Sequence, residues 1–412
     1  MINYNISKLE NGLTLIHHED KNTNLCVCNL LYNVGARDEN PDKTGFAHLF
    51  EHLMFGGSVN IPSFDTPLQK ASGENNAFTS NDITNYYITL PSQNIETALW
   101  LESDRMLRLD FSEKSLNVQK GVVIEEFKQR YLNQPYGDAW LNLRPLAFEV
   151  HPYRWATIGK EIAHIEDATL NDVIAFFEKF YNPSNAILCL AGNIELSAAI
   201  QLTKKWFGDI PAGLKNPNLY PTEPNQTNRR EKTIEANVPQ NALYLAFHMV
   251  ERTHPLYFAF DLLSDILSGT DSSRFMNQLV KKLGLFTHVH AYITGEIDKG
   301  LFIIDGKLKD GVEFAEAESS IMQIIIDIAE NGIPESELNK VKNKVITSNL
   351  FSKTSVLNKA MALCYAELLG DIELVNKEIN KLKAVTVLEI QNICRAYLST
   401  ENRTVLKYKA IK

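Results

Sequence analysis

Two histidines and a glutamate fall within five residues, at His48, Glu51 and His52. The surrounding stretch, Thr44 to Phe55, contains no proline and is followed by Gly56-Gly57. A helix is therefore predicted from about Gly45 to Phe55. Residues four apart on a helix share a face one turn apart. The imidazoles of His48 and His52 can thus be aimed at a single ion, with Glu51 beside them. A catalytic zinc takes three protein ligands and keeps one open position. It lowers the pKa of the water it holds towards about 7. Glu51 is placed to accept that proton as general base and pass it on to a leaving amine. The order of residues inverts the more familiar zinc-helix pattern.

The third ligand has to come from another element. A second helix is predicted from about Lys114 to Tyr131, and it contains Glu125-Glu126. On its wheel, Leu116, Val122, Val123 and Phe127 outline the buried arc. Glu126 falls between Val122 and Val123, and Glu125 falls at the edge. A carboxylate inside an apolar arc needs a partner, either a metal or a buried arginine. Glu126 is therefore expected to be the third ligand.

The elements that must carry these residues recur along the chain. Leu25 to Tyr32 reads as a strand, as do Ile83 to Leu90 and Ala186 to Asn193, with a helix over Ile95–Leu109 between them. After the proline-rich stretch Pro211 to Lys232 the order repeats. Ala242–Phe247 and Gly300–Asp305 read as strands, Leu256–Leu267 as a helix, and further helices start near Gly311 and Pro334. Two similar α+β domains follow, each a mainly antiparallel sheet with helices packed on it. The expected division is 1–212 for the zinc-bearing domain, 213–232 for the linker and 233–412 for a metal-free domain.

Setting the two halves side by side places His48 against Asp261, Glu51 against Ser264, His52 against Asp265 and Gly56 against Gly269. Glu126 falls against Ser348. The chemical positions change together, so the second half carries the scaffold without the metal site.

The 412 residues are 44% hydrophobic and 22% charged, with a net charge of -9, an ordinary globular balance. Lysines and arginines form no long block, which argues against nucleic-acid binding. Five scattered cysteines, with Cys26 and Cys28 alternating in an apolar run, fit buried reduced thiols and a reducing compartment. The first residues show no secretory leader, and no apolar run is long enough to span a bilayer. A cytoplasmic location is expected, or a periplasmic one if a leader has been removed. The remaining histidines carry little weight. His288 and His290 alternate on one strand face, but no third ligand accompanies them.

The motifs His48-Leu49-Phe50-Glu51-His52, Leu53-Met54-Phe55-Gly56-Gly57-Ser58, Asn76-Ala77-Phe78-Thr79, Thr84-Asn85-Tyr86-Tyr87 and Gly121-Val122-Val123-Ile124-Glu125-Glu126 resemble the inverted zinc peptidases. That family includes pitrilysin, insulysin and the mitochondrial processing peptidase. The resemblance covers almost the whole chain and is to the shorter members. It implies a zinc endopeptidase with one Zn2+ per chain, working as a dimer that closes around a chamber. It also implies that an unfolded peptide adds as a strand along Asn76, Ala77, Phe78 and Thr79, as sheet edges permit.

Two departures from the family pattern stand out. Many members have a glutamate seven residues before the third ligand, where this chain has Gln119. Many also have an arginine and a tyrosine in the second domain that reach the bound peptide, where this chain has Val280 and Thr287. The chain is therefore expected to be the catalytic subunit of a heterodimer whose zinc-free homologue supplies the Arg/Tyr pair. The Lys281-Lys282 pair keeps a homodimer open. The alternative is a non-catalytic structural or assembly subunit of the same fold, which zinc content distinguishes.

Overall fold

The structure, a computed structural model, describes residues 1–411. In chain order the first half holds β1 (Asn5–Lys8), β2 (Thr14–Glu19), β3 (Leu25–Tyr32), α1 (Phe46–Leu53), α2 (Asp65–Lys70), β4 (Glu74–Thr79), β5 (Thr84–Pro91), α3 (Ile95–Leu107), α4 (Glu113–Phe127), α5 (Ala139–Ala147), α6 (Ile162–Glu166), α7 (Leu170–Phe180), β6 (Ala186–Gly192) and α8 (Leu196–Phe207). The second half holds β7 (Arg230–Ala236), β8 (Ala242–His248), α9 (Tyr257–Ser268), β9 (Phe286–Ile293), β10 (Leu301–Leu308), α10 (Phe314–Asn331), α11 (Glu335–Ser352), α12 (Val356–Leu368), α13 (Leu374–Ala384), α14 (Val387–Ala396) and β11 (Thr404–Ala410).

The strands form a six-stranded sheet, ordered β1-β2-β6-β3-β5-β4, and a five-stranded sheet, ordered β7-β11-β8-β10-β9. One pair in each sheet is parallel, β2 with β6 and β11 with β7, and the others are antiparallel. The central strands are buried on both faces, which is why β3, β6, β8 and β10 read as nearly continuous apolar runs. All five cysteines are free and buried.

Two compact units result, and neither is continuous in sequence. One comprises Met1–Phe127, Trp155–Tyr220 and Leu350–Lys377; the other comprises Lys128–Arg154, Pro221–Asn349 and Glu378–Lys412. A division at 213–232 differs from this, because it keeps α5 with the first sheet and α12 with the second. The reason is that each sheet has two apolar faces to bury. In the first unit, α12 brings Ala360, Leu363 and Cys364 against Ile16, Val27, Leu31, Ile187 and Cys189. In the second, α5 brings Ala139, Leu143 and Ala147 against Ala242, Ala246, Ile303 and Leu406. The opposite face, with Leu243, Leu245, Phe247, Phe302 and Ile304, is covered by residues of α9, α10 and α14. Each unit thus takes one covering helix from the other half of the sequence.

The stretch before β7 has no helix or strand, yet it is pinned. Within the first unit, Asn216 Nδ2 donates to Asn33 O at 3.0 Å and to Asp38 Oδ1 at 2.6 Å. Within the second, Glu223 accepts from the backbone N–H groups of Glu149, Val150 and His151 at 2.7–3.0 Å. A carboxylate that takes three backbone N–H groups is well satisfied without water.

A buried ion pair lies within α3. Arg105 Nε and Nη2 donate to the Glu102 carboxylate at 2.8 and 2.5 Å, and both side chains are fully buried. Burial pushes the Glu102 carboxyl up, and Arg105 pulls it back down. The guanidinium also lies 4.3, 4.6 and 5.5 Å from the ring centres of Tyr86, Phe64 and Phe55. Arg105→Met leaves Glu102 buried without its counter-charge, and a loss of about 3–5 kcal/mol is expected. Urea unfolding measures it, and a loss below about 1 kcal/mol would show that water or another group replaces the guanidinium.

Candidate metal centre

α1 is a short helix whose orientation is fixed from both sides. Gly45 precedes it with φ at 87°, a left-handed conformation that suits glycine. A Cβ at Gly45 would also lie 2.7 Å from the Ile158 carbonyl oxygen. Phe46, Ala47, Leu49, Phe50 and Leu53 face the interior. The Phe50 ring packs against those of Phe176 and Tyr181, with centres 5.1 and 5.0 Å apart. The other face of α1 carries His48, Glu51 and His52, all half-buried.

α4 supplies the third group. His48 Nε2 and His52 Nε2 each lie 3.5 Å from Glu126 Oε2. Among the described residues this is the one group of three His, Cys, Asp or Glu side chains whose ligand atoms all lie within 4.8 Å of one another. Ligand atoms about 2.1 Å from a tetrahedral zinc are separated by about 3.4 Å. The two separations from Glu126 fit that spacing, and the two histidine nitrogens lie within 4.8 Å of each other.

The choice between the two adjacent glutamates is explained by exposure. Glu125 points to solvent, whereas Glu126 is half-buried beside the two imidazoles. The wheel was misread at one position: Val122 is 45% exposed, and the buried arc is Leu116, Val123 and Phe127. α4 is covered along one flank only, so Glu126 sits at the margin of that arc and not in its middle. Gln119, seven residues earlier, is half-buried on the same helix.

Glu51 is tied to the edge strand. Thr79 Oγ1 donates to Glu51 Oε2 at 2.7 Å. Burial pushes the Glu51 carboxyl up; the Thr79 hydroxyl and the neighbouring His52 pull it down, and Glu126 raises it. Thr79 belongs to the segment that sequence marked as a peptide-binding edge, but its side chain serves the glutamate. β4 does lie at the end of its sheet, paired on one side with β5 through Asn76–Tyr87, Ala77–Tyr86, Phe78–Asn85 and Thr79–Thr84. Asn76 and Phe78 are exposed on one face, and Ala77 and Thr79 are half-buried on the other.

The second unit treats the matching register differently. Lys344 Nζ lies 2.7 Å from Asp265 Oδ1 and 2.6 Å from the Gly269 carbonyl oxygen. Asp261 is pushed up to about 6 by burial, with the nearby Asp265 carboxylate adding to the rise. A lysine ammonium supplies the positive charge there, and Ser348 is exposed. Val280 and Thr287 offer neither a guanidinium nor a phenol. Val280 is half-buried against the apolar core, and the Thr287 hydroxyl is on the edge strand β9, 3.3 Å from Gln240 Oε1.

One residue with a clear role went unmarked in sequence. Glu39 is buried, and its carboxylate accepts from the backbone N–H groups of Gly45 and Ala47, both at 2.9 Å. It lies six residues before Gly45, too far from the helix for a local capping pattern to flag it.

Comparison with known proteins bears on the family and the fold. Residues 14–138 match the family model described as insulinase (peptidase family M16), and residues 167–345 match that of the peptidase M16 inactive domain. The chain is 29% identical over 361 residues to a zinc protease of Helicobacter pylori named PqqE, covering 84% of this chain and 80% of that one. It is 26% identical over 400 residues to an uncharacterized zinc protease of Bacillus subtilis, YmxG, covering 94% and 93%. A solved protease from Helicobacter pylori superposes with a TM-score of 0.93 at 25% identity, covering 99% of this chain and all of that one. A peptidase M16 inactive domain from Pseudomonas fluorescens has the same fold, with a TM-score of 0.89 at 19% identity over 100% and 98% of the two chains. No helix among the described residues is long and apolar enough to cross a membrane. With both domain models matched in order and the fold shared end to end, the chain belongs to the insulinase-type M16 peptidase family as one of its shorter bacterial-type members.

Proposed function

We propose that the chain is a zinc-dependent endopeptidase in which His48, His52 and Glu126 hold the metal and Glu51 is the general base. The observation that carries this reading is the convergence of the three ligand atoms, with Glu51 on the same helix and hydrogen-bonded to the edge strand. Relatives named as zinc proteases support it. Zinc held there would supply a Lewis acid beside the scissile carbonyl. The Glu51 carboxylate takes the proton of the attacking water and returns it to the amine nitrogen as the peptide bond breaks. The Thr79 hydroxyl keeps Glu51 Oε2 in one orientation, leaving the other oxygen to accept the proton.

The peptide adds to the outer edge of β4, along Asn76, Ala77, Phe78 and Thr79. Backbone hydrogen bonds to an edge strand bind without regard to side chains, which suits an enzyme that takes unfolded segments. The exposed Asn76 and Phe78 side chains are then available to contact alternate residues of the substrate. Intact ligands and base argue against a purely structural subunit.

The Arg/Tyr pair is proposed to come from a zinc-free homologue, making this chain the catalytic member of a heterodimer. Val280 has no hydrogen-bonding group in its side chain, and the Thr287 hydroxyl, though a donor, lacks the reach of a phenol. The isolated chain is expected to cleave an unfolded peptide at less than a tenth of its rate in the presence of the partner, and full activity alone would contradict the division of labour.

Glu51→Gln is expected to keep one zinc per chain and to lose about 10²–10⁴-fold in kcat. Elemental analysis and a fluorogenic peptide assay read the two effects separately; turnover near the wild-type rate would remove Glu51 from its role. Glu126→Gln is expected to lose the metal after dialysis, whereas Glu125→Gln retains it, because only Glu126 faces the imidazoles. The reverse pattern would move the third ligand to Glu125.

A further inference from the structure

We propose that Glu39 is the positioning residue of the metal helix, supplying from outside the helix the cap that Gly45 cannot. The inference rests on the peptidase reading above. α1 has only eight residues, and its N-cap, Gly45, has no side chain to accept from the first turn. Unsatisfied N–H groups at a helix start cost stability and let the first turn fray. His48 lies in that first turn, so fraying would move a ligand.

Glu39 closes the gap with both oxygens. Oε2 accepts from the Gly45 N–H and Oε1 from the Ala47 N–H, each at 2.9 Å. Trp155 Nε1 donates to Oε2 at 3.1 Å and to the Ala36 carbonyl at 2.8 Å, which fixes the carboxylate from behind. The Gly45, Ala47 and Trp155 N–H groups all donate to Glu39, so both of its oxygens act as acceptors at the N-terminal end of α1. Burial raises the carboxyl and the three N–H groups lower it, and burial dominates, leaving it pushed up to about 8. Trp155 is itself buried, and Lys160 lies 4.9 Å from its ring centre while Lys160 N donates to Thr44 Oγ1 at 2.8 Å. The chain entering α1 is thus held at Glu39, Thr44 and Gly45 together.

The second half of the chain provides a comparison. The offset that sets His48 against Asp261 sets Glu39 against Arg252 and Gly45 against Phe258. Arg252 lies 4.3 Å from the Tyr257 ring centre and 3.8 Å from Glu378, and the start of α9 is met instead by the His254 imidazole, whose Nδ1 accepts from the N–H of the N-cap Leu256 at 3.1 Å. The carboxylate form of the cap accompanies the metal ligands. The difference lies in kind: the metal-free half uses an imidazole two residues from the N-cap, whereas the half with the ligands uses a buried carboxylate that reaches the N–H groups of both Gly45 and Ala47.

Glu39→Gln keeps the size of the side chain but turns one acceptor into a donor facing an N–H group. The zinc dissociation constant, read by competition with a chromogenic chelator well below the melting temperature, is expected to rise about tenfold or more. Cobalt(II) bound in place of zinc is expected to show an altered visible absorption, and kcat to fall with KM within about twofold of wild type. A folded Glu39→Gln protein with wild-type zinc affinity and cobalt spectrum overturns the proposal and leaves the peptidase reading intact. A wild-type chain that takes up no zinc overturns both. If Glu39→Gln does not fold, Trp155→Phe removes one of the three donors; a rise of about threefold in the zinc dissociation constant supports the proposal, and an unchanged value overturns it.

Discussion

The arrangement depends on one geometric requirement: two imidazoles on α1 and a carboxylate on α4 must meet within bonding distance of a single cation. The helix satisfies part of it by itself, because His48 and His52 are one turn apart. The rest is a matter of fixing α1 against α4. Three ligand atoms from two separate helices are brought to one point, and only a group shared by all three uses them together. The 3.5 Å separations from Glu126 to both histidines match the ligand-to-ligand spacing of about 3.4 Å around a tetrahedral zinc.

Several neighbouring features follow from that requirement. Aromatic rings hold Phe50 on the buried side of α1, and the Arg105–Glu102 pair stiffens the layer beneath Phe55 and Tyr86. Thr79 couples the base to the strand proposed to receive the substrate, so the proton acceptor and the peptide share one support. In the second unit the same helical register is filled by Asp261, Asp265 and Lys344, in which a side-chain ammonium provides the positive charge internally. Among the described residues, the three-ligand cluster occurs in one of the two similar units.

Much of the site was legible because its information is local. His48, Glu51 and His52 lie within a single turn and a half of helix, and the spacing alone dictates their common face. Glu126 could be chosen over Glu125 from the wheel, although the wheel wrongly buried Val122, since a helical projection cannot say how far a neighbouring element extends over it. Strands β3, β6, β8 and β10 were visible as apolar runs because both their faces are covered. The strands β1, β2, β7 and β11 escaped notice, being short, edge-placed or mixed in polarity. The exchange of α5 and α12 was invisible for a different reason: which sheet a helix covers is decided by long-range packing, and its own sequence shows only that it has an apolar face. Glu39 was hidden likewise, since an acidic residue in a loop carries no local sign of the N–H groups it will meet.

The most direct test of the account is X-ray absorption at the zinc edge of the loaded protein. Two imidazole nitrogens and one carboxylate oxygen at about 2.0–2.2 Å are expected, with the carboxylate contribution lost in Glu126→Gln. A shell with one imidazole, or one unchanged by the Glu126 substitution, would contradict the convergence on which the account is built.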